Sequence, residues 1–284
     1  MALFVNHLTH LDVSIWSPVH GLTGMSWRVN ATLEGEIGAD GMLLDFGEVK
    51  PWIKRVLDDG PDHTLLVPEQ AEGVSVSSHD AFNHSGTCLF KATTPYPFQM
   101  EAPSQALTAL PTPEVSEADI LAHCEALLNA RLPTNVTGVR LTLEAERIEG
   151  AEFGYSHGLK RHLGNCQRIA HGHRSRLEIH QHGERVPALE QEWSDWLQHR
   201  YLIEAEDIIE ASPDDRVTCR YRATQGEFTL SLPKSATAIL DTPTTIENIA
   251  RWIAGQVAQQ TGNPTRVVVF EGISKGATAD ASGE

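Results

Sequence analysis

The sequence predicts an α+β protein built from two tandem copies of one antiparallel-sheet unit, and three observations carry that prediction. The first is size: 284 residues, at roughly 150 per domain, is about two domains. The second is internal similarity, sought before any local pattern. Residues 23–36 line up without gaps on residues 171–184, and Asp62-His63 matches Gln198-His199. Residues 112–117 then match 242–247, and 139–144 match 266–271. Each match is weak alone, but all four keep one order. The third observation is that both halves repeat the same succession of strand-like and helix-like segments.

Alternation over 27–33 and 177–179, each closing on a Gly-Glu turn, predicts an opening strand pair in either half. Asp45 as N-cap, Glu48 three residues on, and Val49, Ile53 and Val56 on one face predict a helix that Asp59-Gly60 stops. The second half keeps a shorter helical piece at 189–198. Strands are predicted at 74–77, 87–92, 216–223 and 227–232. Thr244-x-x-Glu247 reads as a capping box before a late helix with Ile246, Ile249, Ala250, Ile253 and Val257 on one face. A β-branched strand at 266–270 ends the unit. The domains are therefore expected at 1–149 and 150–274, with 275–284 a small, polar, disordered tail.

Lys and Arg number 22 against 38 Asp and Glu, a formal net charge of −16. Such a surface repels phosphate backbones and anionic lipid, so neither nucleic acid nor membrane is an expected partner. One local pocket can still take a small anionic substrate. The 4 cysteines include no C-x-x-C pair, which argues against a disulfide scaffold and for a reducing, cytoplasmic setting. No signal peptide is expected from the opening residues, and no run nears the roughly 18 apolar residues of a membrane span.

The chemistry concentrates around residue 170. In a strand, residues two apart share a face, so His171 and His173 point together, with Gly172 leaving room. His157 on a neighbouring strand would complete three nitrogen ligands and leave a fourth position open, the catalytic arrangement for zinc. His180 and His182 lie on the opposite face with Arg174, Arg176 and Glu178 and are expected to be solvated. His7, His10, His79 and His84 lack an assembled third ligand. Cys88, Cys124 and Cys219 read as buried small hydrophobes, Trp252 as packing, and Asp45-Phe46 as a helix cap followed by a core residue.

Phe153-Gly-Tyr-Ser-His157, Cys166 before His171-Gly-His173, His199-Arg-Tyr-Leu, Glu247-Asn248 and Val-Val-Phe-Glu271 stand in one order. That order resembles the 6-pyruvoyltetrahydropterin synthase / 6-carboxytetrahydropterin synthase family over nearly the whole chain. The first half resembles a degenerate copy, keeping Met42, Asp45-Phe46, Lys50 and Asp62-His63. The resemblance implies tandem tunnelling-fold domains, whose antiparallel sheets close into an oligomeric β-barrel with helices outside. By analogy, three copies of the chain would make two stacked barrels.

It also implies an enzyme acting on 7,8-dihydroneopterin triphosphate, a small-molecule pterin. Zn2+ on His157, His171 and His173 would polarise the side-chain hydroxyls. Cys166 would be the proton shuttle, a thiolate favoured by the metal and a nearby imidazole. Glu271 would grip the 2-amino-4-oxo edge of the pterin, with Glu247 as a further substrate-binding residue. The family's Asp-His dyad is split here. Gln198 replaces the Asp before His199, while the first half keeps Asp62-His63 but has Thr23 and Met25 for metal histidines. Cys166 and the zinc are therefore expected to work with Asp62 and His63 of a first half, in the same or an adjacent chain, leaving His199 facing a dead pocket. The compact spacing from Cys166 to His171 favours 6-carboxytetrahydropterin as product, with acetaldehyde and triphosphate released, as in queuosine (7-deazaguanine) synthesis. The alternatives are 6-pyruvoyltetrahydropterin synthesis and a non-catalytic pterin- or purine-binding module.

Overall fold

The computed structural model describes residues 1–78, 86–211 and 215–283, so the readings of His79 and His84 fall outside the described residues. The first half runs β1 (Ala2–Ser17), β2 (Gly21–Gly35), α1 (Phe46–Asp58), β3 (Leu65–Pro68), β4 (Val74–Ser78), β5 (Thr87–Ala92), β6 (Phe98–Pro103), β7 (Leu107–Leu110), α2 (Glu117–Asn129) and β8 (Val136–Ala145). The second runs β9 (Glu152–His157), β10 (His171–Gln181), β11 (Glu184–Arg185), α3 (Pro187–Leu197), β12 (Tyr201–Glu204), β13 (Ile208–Ala211), β14 (Arg216–Ala223), β15 (Gly226–Pro233), β16 (Thr237–Leu240), α4 (Ile246–Thr261), β17 (Thr265–Phe270) and β18 (Gly276–Ala281). The fold is α+β.

Local chemistry sets the helices as expected where caps are strong. The Asp45 side chain accepts from the Gly47 N–H to start α1, and Val49, Ile53, Val56 and Leu57 form its buried face. Phe46, expected in the core, is instead exposed, because it sits on the solvent side of the first turn. Ser116 and Asp119 make a reciprocal capping box on α2. The box expected on α4 does not form: Thr245 is the N-cap and makes no side-chain cap bond. Thr244 is drawn away, its carbonyl accepting from His157 Nδ1 at 2.9 Å.

Three sheets result. One orders β7-β3-β1-β2-β8, one β16-β12-β9-β10-β17-β18 with β11 on β10, and an open six-stranded one β13-β14-β15-β6-β5-β4. The first two are not purely antiparallel as expected. β3 lies parallel to β1 and β7, and β12 parallel to β9 and β16, because each returns beside the hairpin after a helical crossover. The six-stranded sheet takes three strands from each half, joined where Leu230 pairs with Met100.

The apolar core follows the same plan. One cluster fills β1, β2 and β8 against α1 and α2, with Val29, Ile53 and Ile120 buried. Another fills β9, β10 and β17 against α3 and α4, with Leu177, Ile253 and Val267 buried. A third mixes the halves, packing Trp16, Leu65 and Phe90 with Tyr201, Leu230 and Ile169. Burial of apolar surface at about 25 cal/mol per Å² makes that shared cluster a strong bond between the halves.

The tail at 275–284, expected to be disordered, is ordered over Gly276–Ala281 as β18, antiparallel to β17. Its alternating Ala277, Ala279 and Ala281 pack on the second core, and the strand satisfies the backbone edge that β17 would otherwise expose. No described helix is long and apolar enough to cross a membrane.

Candidate metal centre

The register of β9 on β10 assembles the histidines. His171 pairs with His157 and His173 with Tyr155, so the period of two turns all three imidazoles onto one face. His157, His171 and His173 are 0%, 0% and 1% exposed. One ligand atom from each lies within 4.8 Å of the others, and the rings of His157 and His171 stand 4.4 Å apart.

The rings are oriented from behind. His157 Nδ1 donates to the Thr244 carbonyl and His171 Nδ1 to the Arg168 carbonyl, each at 2.9 Å. Nε2 of both rings is buried without a hydrogen-bond partner. Unpaired buried nitrogens are rare unless something binds them. Burial and the neighbouring imidazoles hold His157 and His171 well below the usual histidine range, so both stay neutral. Neutral convergent imidazoles with backbone partners on the far nitrogen suit a divalent transition metal.

Asp12 of β1 reaches this cluster from the first half. Its Oδ1 lies 3.4 Å from His173 Nδ1 and accepts from Ser26 Oγ, while Lys275 Nζ stands 3.6 Å from Oδ2. Burial would raise its carboxyl, but His173, Lys275 and Ser26 outweigh burial and hold it well below the usual carboxylate range. Lys275 Nζ is also 3.9 Å from Glu271 Oε2, which brings Glu271 beside the cluster. Glu247 lies exposed in the first turn of α4.

Cys166 sits in a tight turn pinned on every side. Asn165 Nδ2 donates to the Asp58 carbonyl at 2.7 Å. The fully buried Gln167 accepts from Gln225 N at 2.7 Å and Thr224 Oγ1 at 2.9 Å in the β14–β15 turn. Arg168 Nη1 donates to the Asp62 carbonyl at 2.8 Å. Cys166 is half-buried, unlike Cys88, Cys124 and Cys219, which are buried and whose thiols burial pushes up to about 11, 12 and 12.

Asp62 and His63 come to this turn within the same chain. His63 Nδ1 donates to Asp62 Oδ2 at 2.6 Å, and its ring stands 5.2 Å from that of His171. Ligand atoms of His63, Cys166 and His171 lie within 4.8 Å of one another. Burial alone would lower the His63 imidazole, but Asp62 and Cys166 raise it to about 10.

His199 is brought elsewhere. It stacks on His20 with ring centroids 4.8 Å apart, and its Nδ1 lies 3.1 Å from Thr23 Oγ1. Gln198 Nε2 donates to its Nε2, and Gln198 Oε1 accepts from Gly154 N. His63 and His199 share a left-handed backbone, φ 56° and 62°, which is uncommon outside glycine and marks them as equivalents. Beside His20 and Thr23 is a cavity of about 220 Å³ that also touches Ile15, Met25, Trp27 and Glu117.

Of the other histidines, His180 is half-buried beside Glu178 and His182 exposed. Asp12, Ser26, Arg168 and Lys275 were not singled out from sequence. The one available signal is Asp12, an acid between the buried Leu11 and Val13.

The family described as 6-pyruvoyl tetrahydropterin synthase matches this sequence twice, over residues 6–144 and 147–282. No curated protein matches it. Among solved structures, a Plasmodium vivax 6-pyruvoyltetrahydropterin synthase is 17% identical, over 50% of this chain and 90% of that one, with a TM-score of 0.38. A Plasmodium falciparum 6-pyruvoyl tetrahydropterin synthase is 14% identical, over 51% and 97%, with a TM-score of 0.36. With both halves matched in turn, the chain belongs to the 6-pyruvoyl tetrahydropterin synthase family.

Proposed function

We propose that this chain is a zinc-dependent enzyme converting 7,8-dihydroneopterin triphosphate to 6-pyruvoyltetrahydropterin with release of triphosphate. The observation that carries this reading is the meeting of Asp62-His63 from one half with Cys166 and three convergent imidazoles from the other. The family description favours the 6-pyruvoyl product over the 6-carboxy product that the loop spacing suggested.

His157, His171 and His173 would hold the metal. Bound zinc supplies Lewis-acid polarisation of the substrate's side-chain hydroxyls, acidifying the adjoining C–H and O–H groups. Cys166 takes and returns the side-chain proton. His63 exchanges protons with Cys166, and Asp62 keeps the Nδ1 proton in place so that Nε2 faces the thiol. Glu271 accepts two N–H donors from the pterin edge, Glu247 is a further substrate-binding residue, and His199 takes no part.

On this reading residues 1–149 are a degenerate copy and 150–274 the metal-binding copy. Strand register supports it. Ser14 pairs with Gly24 as Ser156 pairs with Gly172, which sets Ile15, Thr23 and Met25 opposite His157, His171 and His173. Continuing into β8 and β17, Leu143 falls opposite Val269, and two residues on Ala145 falls opposite Glu271. The sequence match had aligned Glu144 there, a one-residue slip that turns a strand to its other face. Copies of the chain would close the open sheet edges into a barrel, with a trimer as the expected assembly.

Product analysis with 7,8-dihydroneopterin triphosphate tests the reading. Triphosphate release without acetaldehyde supports it. Acetaldehyde would mean the 6-carboxy product, and zinc binding without turnover would mean a binding module.

A further inference from the structure

We infer that Asp12, a first-half residue, is a positioning residue for the second-half metal centre: its buried carboxylate holds His173 in the orientation that binds the ion. The inference rests on the metal reading above and adds a role for the half that has lost its ligands.

In each of the three rings Nδ1 faces an oxygen. For His157 and His171 that oxygen is a carbonyl of their own half. For His173 it is the Asp12 carboxylate, at an ion-pair distance of 3.4 Å that is longer than the hydrogen bonds behind the other two rings. A carboxylate behind a ligating imidazole fixes its tautomer and raises its basicity, and removing such a partner typically weakens metal binding 10–100-fold. The carboxylate is itself held. Ser26 Oγ donates to it, and Gly272 packs so closely that an added Cβ would lie 2.7 Å from Asp12 Oδ1.

The same residue grips the dyad through its backbone. Asp12 N–H donates to Asp62 Oδ1 at 3.1 Å, and the Asp12 carbonyl accepts from His63 N–H at 2.8 Å. One position on β1 therefore registers the metal ligand and the Asp-His pair against each other. Its repeat equivalent is Gly154, facing Arg174 as Asp12 faces Ser26. The device exists once, on the side where the histidines were kept.

The test is zinc affinity of the full chain, measured by competition with a chromophoric chelator, for wild type, Asp12→Asn and His171→Ala. The expected result is zinc binding 10–100-fold weaker in Asp12→Asn, together with a lower metal-free melting temperature, because His173, Lys275 and Ser26 stabilise the buried carboxylate in the folded state. Cobalt(II) substitution should show a shifted visible spectrum in the same variant. Wild-type zinc affinity in Asp12→Asn overturns the proposal and leaves the metal reading standing. A lowered metal-free melting temperature with unchanged affinity assigns Asp12 a structural role and also overturns it. Equal zinc affinity in wild type and His171→Ala removes the metal reading itself. Should Asp12→Asn not fold, Ser26→Ala takes its place, since it frees the carboxylate to turn from His173. Undiminished zinc affinity there overturns the proposal.

Discussion

Ser14 Oγ donates to Ser156 Oγ at 2.6 Å, a hydrogen bond between equivalent residues of the two central hairpins. Around it Gly24 and Gly172 bring β2 against β10 and β9 with no room for a side chain. A Cβ on Gly24 would lie 2.0 Å from the Tyr155 carbonyl oxygen, and one on Gly172 would lie 2.6 Å from the same atom. This seam is what brings Asp12 and Asp62-His63 of one half to the histidines of the other.

Gly24→Ala should therefore damage the site from a distance. Overpacking against fixed backbone costs about 1–3 kcal/mol or more. Thermal melts should show the loss, and zinc stoichiometry should fall with it, although no ligand has been changed.

The two equivalent histidines should separate in kinetics. His63→Ala should lower kcat by about 10²–10⁴, the usual worth of a positioned acid–base group. His199→Ala, packed on His20 and Thr23, should leave turnover within a few-fold of wild type. Steady-state rates with 7,8-dihydroneopterin triphosphate decide between them, and normal turnover in His63→Ala would refute the shared site.

Metal binding should follow the buried histidines of β9 and β10 only. His171→Ala should purify without stoichiometric zinc, while His182→Ala, in the exposed turn after β10, should retain it. Elemental analysis of both proteins gives the answer directly.

Stability of the chelated protein should fall in mild acid. His157 and His171 have folded-state values lowered by burial, so the unfolded chain binds more protons as pH drops below about 6.5. Stability then rises with pH in that window and is lost as pH falls, by about 1.4 kcal/mol per pH unit for each histidine kept neutral. Urea denaturation between about pH 7 and pH 5 should show this slope, and zinc should be released over the same range because its ligands must be neutral.

Much of this protein was legible without coordinates. The Asp45 cap, the apolar faces of α1 and α4 and the strands at 87–92 and 216–223 follow from local periodicity, which depends only on nearest neighbours along the chain. The pairing of His171 with His173 on one face follows from the same rule. Local rules failed where a residue answered to a distant partner. Thr244 gave up its capping role to His157, and Gly276–Ala281 became a strand because β17 offered an open edge.

Sequence by itself determined the repeat, the start of α1 and the shared face of His171 and His173. Only the tertiary structure decided that Asp62-His63 meets Cys166 in the same chain, that His199 turns to Thr23, and that Asp12 stands behind His173. Those contacts join positions far apart along the chain. They are fixed by close packing at Gly24 and Gly172, and packing of that kind leaves no period for a linear reading to detect.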